Sequence, residues 1–133
     1  MTDRPTAAEL VAAVRHLLEE EVIPALTDQR LRFQTLVAAN VLSIVGRELA
    51  VEDGDVRQAW DKLASILGIT DPLPEHNWPA AVRQLSEGLC ARIRAGDYDE
   101  PVPFRAVLNQ LRPLILRKLE IANPRFLASY QPL

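Results

Sequence analysis

The sequence predicts an all-α fold: an antiparallel bundle of about five helices, with a buried central second helix and an extended C-terminal tail. Three observations carry this. Apolar residues recur at three- and four-residue spacing through five segments. Period-two alternation is missing where β-branched residues occur. Only five glycines are present, and proline or glycine falls at most segment ends. At 133 residues, almost half of them hydrophobic and a quarter charged, the chain has the size and composition of a single helical domain over residues 1–133, with an N-terminal arm at 1–5 and a C-terminal tail at 123–133.

The first helix is expected over Thr6 to Val22. Thr6 followed by Glu9 is a capping-box pattern, Leu10, Val14, Leu17 and Leu18 form an apolar stripe, and Arg15–Glu19 and His16–Glu20 are spaced to pair on the outer face. Pro24 marks the exit. The second helix, Gln29 to Ala50, has Thr27 and Asp28 as candidate caps. Leu36, Val37, Ala38, Ala39, Val41, Leu42, Ile44 and Val45 wrap nearly all its sides, which places it at the centre of the bundle. Glu19, Glu20 and Glu21 end the first helix while Arg30 and Arg32 begin the second, each at the unfavourable end of a helix dipole. Either they pair across the turn or both groups point into water.

The third helix, Asp55 to Leu67, puts Val56, Ala59, Trp60, Leu63 and Leu67 on one face and stops at Gly68. A loop with Pro72 and Pro74 leads to the fourth, where Asn77 is read as the cap and Pro79 sits in the first turn. Its stripe is Val82, Leu85, Leu89 and Ile93, and Gly96 ends it. The fifth, Pro103 to Ala122, faces the core with Phe104, Val107, Leu108, Leu111, Ile115 and Leu119 and should bend at Pro113. Asn123-Pro124 closes it, and the tail carries Phe126 and Tyr130. Short connections make successive helices antiparallel neighbours.

Composition narrows the function. A net charge of −3 offers no general basic surface, so nucleic acid is not an expected partner. The single cysteine, Cys90, cannot close an internal disulfide, and its place beside an apolar stripe reads as an inert core thiol. No basic segment with an apolar run opens the chain, and the apolar stretch Leu36 to Val45 is too short to span a bilayer, so the expectation is a cytoplasmic protein without a membrane partner.

No catalytic constellation stands out. His16 and His76 lie in no metal-binding pattern, Asp53-Gly54-Asp55 opens like a calcium loop but lacks the closing acid and reads as a polar turn, and phosphate-binding glycine loops are missing. The expectation is therefore no enzyme, no cofactor and no metal. Three polar features remain as interface or anion-contact candidates. Asn40 is the one amide inside the apolar stretch Leu36 to Val45 of the second helix, read first as a latch between helices, with Arg47 two turns on and Glu48 beside it to hold the guanidinium. Arg92 and Arg94 end the fourth helix, where the dipole favours cations and where a phosphate or carboxylate could be gripped. Arg105, Arg112, Arg117 and Lys118, with Arg125 beyond, form a basic run that reads first as a solvated face.

The segments Arg4-Pro5 through Glu9-Leu10, Ala38-Ala39-Asn40, Arg47-Glu48-Leu49, Ala91-Arg92-Ile93-Arg94-Ala95-Gly96, and Lys118-Leu119 followed by Asn123-Pro124 together resemble a small, uncharacterised, all-helical bacterial family encoded beside aminoglycoside-phosphotransferase-like kinases and acyl-CoA dehydrogenases. The resemblance covers nearly the whole chain. It implies a non-catalytic accessory subunit supporting a phosphotransferase-like kinase that acts on hydroxyacyl-CoA substrates, the kinase supplying nucleotide, magnesium and catalytic aspartate. Under that implication Arg47, Arg92, Arg94 and Lys118 are the residues expected at the interface or against phosphate. Two alternatives stand beside it: a self-associating helical module, joined through the Phe126 and Tyr130 tail, and a binder of an anionic small molecule such as a CoA moiety.

Overall fold

The computed structural model describes residues 3–51 and 53–130, and among them every regular element is a helix. Residues 1–2 of the N-terminal arm and 131–133 of the tail lie outside the described residues. In chain order the helices are α1 (Ala7–Leu17), a π-helical turn (Leu18–Val22), α2 (Ile23–Ala25), α3 (Gln29–Leu49), α4 (Asp53–Leu67), α5 (Trp78–Arg94), α6 (Pro101–Ala122) and α7 (Pro124–Ser129). They group into two compact units: Met1–Val51 with Ile121–Leu133, and Glu52–Glu120.

In the first unit, local chemistry sets the helix ends. The Thr6 hydroxyl accepts from the Glu9 backbone N–H at 3.2 Å, and the Thr6 N–H donates to the Glu9 carboxylate at 2.7 Å, completing the expected capping box. That backbone bond, and then the Arg4 guanidinium at 2.6 Å, hold the Glu9 carboxyl below its ordinary range. The wider π turn comes just before Pro24, which has no N–H to offer the carbonyl of Glu20. Asp28 caps α3, its Oδ1 accepting from the N–H groups of Arg30 and Leu31 at 2.9 and 3.2 Å. α1 packs on α3 beside Gly46, where even a methyl group would meet the Val11 side chain at an ordinary contact distance of 3.9 Å. One turn earlier, Arg15 donates from Nη1 to the Ser43 hydroxyl at 3.2 Å.

The second unit has the larger core. Trp60, Leu63, Ala64 and Leu67 of α4 meet Leu85 and Leu89 of α5 in one buried cluster. Leu111 and Leu114 of α6, with Leu73 of the proline loop and Tyr98, pack against it. Gly68 and Gly96 end α4 and α5 at φ +69° and +85°, the left-handed conformation expected of a glycine C-cap.

Several expectations change. The apolar wrap of α3 is not a buried centre: Ala39 is buried, but Leu31, Phe33, Leu36, Val37, Val41 and Leu49 are exposed. Burying every side of a helix takes neighbours all around it, and in the first unit α3 packs chiefly on α1 and the turn that follows it. Leu10, Val14 and Leu17 of α1 are also exposed, as are Ile93, Phe104, Leu108 and Ile115. The tail is not extended: α7 forms because Asn123 accepts from the Phe126 N–H at 3.1 Å and Pro124 suits a first turn, and Phe126 then stacks near Tyr130. Asn77 is no side-chain cap; it sits in the left-handed region at φ +59° just before α5. Cys90 is exposed rather than a core thiol. Asp53-Gly54-Asp55 is the first turn of α4 instead of a turn preceding it. Between Glu19–Glu21 and Arg30 or Arg32 no ion pair forms among the described residues, so the reading in which both groups meet water stands.

Candidate functional site

Two kinds of surface compete for function: shallow clefts on the second unit, and the outer apolar faces of the first. Three clefts of about 250 to 350 Å³ lie on the second unit. Arg57 is the cation in two of them, facing Glu75 in one and sharing the other with Asp61 and Asp71. Acidic neighbours around a single guanidinium disfavour an anionic guest. The third is lined by Ser65, Tyr98, Pro103 and Gln110 among apolar residues and carries no charge to hold a phosphate. No three His, Cys, Asp or Glu side chains gather in a metal-binding arrangement among the described residues. No helix is long and apolar enough to cross a membrane among the same residues.

The sequence-nominated polar residues do not assemble into one site within either unit. In the second unit Arg92 and Arg94 stand exposed at the end of α5, close in sequence to the start of α6. Lys118 is exposed 17 residues after Pro101, about 25 Å further along α6 at the usual helical rise. Arg117, the next residue, is tied up: its guanidinium meets Asp55 and Glu120, each at 2.7 Å, and these two hydrogen bonds raise its pKa further.

In the first unit Arg47 is half-buried and donates from Nε to the Ile121 carbonyl near the end of α6. That carbonyl lies in the last turn of a helix, where it lacks an intrahelical donor and where a cation is favoured. Arg47 is thus occupied in structure, and Glu48 does not hold its guanidinium; Glu48 is exposed and unpaired among the described residues. Arg125 is exposed in the first turn of α7. Asn40 is exposed, which corrects its reading as a buried latch between helices.

The residues that sequence reasoning misplaced are the apolar ones. On α1, Leu10, Val14 and Leu17 recur at four and three residues and so line one strip of surface, while Val11 and Arg15 turn toward α3. On α3, Ala39 and Ser43 face α1, while Phe33, Val37 and Val41 lie away from that contact. Phe33 is 66% exposed against 2% for Ala39, on the same helix. The signal available in the sequence was Asn40 itself, a polar group in the middle of a stripe otherwise fit for a core.

No curated protein and no solved structure matches the chain. A family does: residues 24–126, which run from α2 into α7, match the Domain of unknown function (DUF6285), and the chain belongs to that family.

Proposed function

We propose that this protein is a non-catalytic helical interaction subunit, and that its partner is a phosphotransferase-like kinase acting on hydroxyacyl-CoA substrates. The observation that carries the reading is the exposed apolar strip of Leu10, Val14 and Leu17 on α1, three large side chains in a row, each about half in solvent. Patches of this kind are where helical proteins dock on others. The second support is chemical. Phosphoryl transfer needs groups that hold nucleotide, magnesium and the attacking hydroxyl. The kinase brings all of these in the proposed complex, and this chain brings a surface. The partner class follows from the sequence segments that resemble proteins encoded beside such kinases, among them Ala91 to Gly96 and Lys118-Leu119. Arg92, Arg94 and Lys118 are free on the surface to make rim contacts, whereas Arg47 acts from inside the fold.

Co-expression with the phosphotransferase-like kinase encoded nearest to it tests the reading. The two chains should copurify, and kinase turnover on a hydroxyacyl-CoA should fall at least tenfold when the accessory chain is omitted or carries Val14→Glu. Unchanged turnover without this chain would remove the role.

A further inference from the structure

We infer that the outer face of α6 is a docking site for a protein partner, and that the partner presents an amphipathic helix whose apolar strip is flanked by carboxylates. Phe104, Leu108 and Ile115 follow one another at four and seven residues, so they form a strip along one side of α6 about 16 Å long. All three are exposed, each about half in solvent. The strip borders the covered face of the same helix, where Val107 is buried and Leu111 and Leu114 pack against the α4–α5 cluster. α6 is held by one face and offers the next.

The choice of occupant follows from charge. Arg105 and Arg112 are seven residues apart, two turns, and both lie beyond Leu108, on the flank away from the covered face. About 10 Å separates them along the helix. Both are exposed, and neither forms an ion pair among the described residues. No aspartate or glutamate occurs between Pro101 and Leu119, so no carboxylate of α6 itself competes along the strip. An apolar strip edged by two open guanidiniums is complementary to a helix that carries leucine-like residues beside carboxylates at the same two-turn spacing. A second copy of α6 is a poor match: antiparallel pairing about a twofold axis sets the arginine flank of each helix against that of the other, and the two repel. An anionic lipid surface would also attract the arginines, but the whole chain carries a net charge of −3, which opposes its approach.

The inference does not rest on the kinase reading, which uses the strip on α1, and failure of either leaves the other standing. The probe is a synthetic helix of about 18 residues, five turns, with a leucine strip and glutamates on its flanks, set beside a twin in which lysines replace the glutamates. Calorimetry with the full chain should show the acidic helix bound at least about tenfold more tightly than the basic one. Arg105→Glu combined with Arg112→Glu should abolish that preference, and Leu108→Asp should weaken binding of the acidic helix by about tenfold or more. Backbone amide shifts during the titration should centre on residues 104–115. Circular dichroism reports whether each variant keeps its helices; if Leu108→Asp loses them, the paired charge reversal, made at two exposed positions, still decides. No binding of the acidic helix, equal binding of the two helices, a preference that the charge reversal leaves intact, stronger retention by phosphatidylglycerol vesicles than by the acidic helix, or a dimer of the chain that Leu108→Asp dissociates would each overturn the proposal.

Discussion

The two units of this protein are built from the same material and end differently. In the second, α4 and α5 close a cluster around Trp60, Leu63, Leu67, Leu85 and Leu89, and α6 adds Leu111 and Leu114 to it. In the first, α1 and α3 carry apolar residues just as dense in sequence, yet among its described residues only Ile23 and Ala39 are buried hydrophobics. The difference is the number of helices available to share the apolar faces. Three helices around one axis can cover each other's inner stripes, whereas a pair covers one face of each and leaves the rest to solvent or to another chain. Hydrophobicity around a helix thus states a demand for neighbours, and says nothing of whether they belong to the same molecule.

Paired truncations test that contrast most severely. Leu63→Ala in the second unit should lose about 2–5 kcal/mol of unfolding free energy, because a cavity opens in a closed cluster. Leu36→Ala in the first unit, measured by urea denaturation, should lose less, about 1 kcal/mol, since its side chain is half in water already. A similar loss at both positions would break the comparison. Gly96→Ala comes next: a methyl group at φ +85° would lie 2.9 Å from the Asp99 carboxylate, so about 1–3 kcal/mol should disappear from thermal or urea unfolding. Arg47→Met keeps the stem and removes the donor to the Ile121 carbonyl, at about 1 kcal/mol.

The smallest effects sit at the start of α1. Thr6→Ala should lose about 1 kcal/mol through the N-cap. The same cap is sensitive to acid. Because the Thr6 N–H and the Arg4 guanidinium lower the folded pKa of Glu9, its contribution is complete above the ordinary glutamate value of about 4.3 and is lost as pH falls through the lowered folded value. Amide exchange at Thr6, which donates to Glu9, should therefore accelerate below that range, while amides in the α4–α5 cluster hold. Glu9→Gln should flatten the pH dependence.

Helix ends were the most legible part of the sequence. Thr6 and Glu9, Asp28, Gly68 and Gly96 each act within a few residues of themselves, through hydrogen bonds or dihedral preferences that need no tertiary partner. Asn77 is the exception that shows the limit: an asparagine can cap through its side chain or adopt a left-handed backbone, and the path out of the proline loop selects the second. The candidate site was less legible. Arg47 looked like a ligand for an external anion and instead donates to Ile121, a residue 74 positions away in sequence, which no local pattern could reveal.

By itself, the sequence determined the helical class, where most helices start and stop, and which residues in α4 and α5 would pack together, because these follow from short-range bonding and from the periodicity of apolar side chains. Only the tertiary structure decided which apolar faces are covered and that Asn40 and Cys90 meet solvent. The physical reason is that burial is a property of pairs of surfaces: a stripe of leucines and valines specifies that it should be covered, and only the arrangement of the other helices settles whether it is.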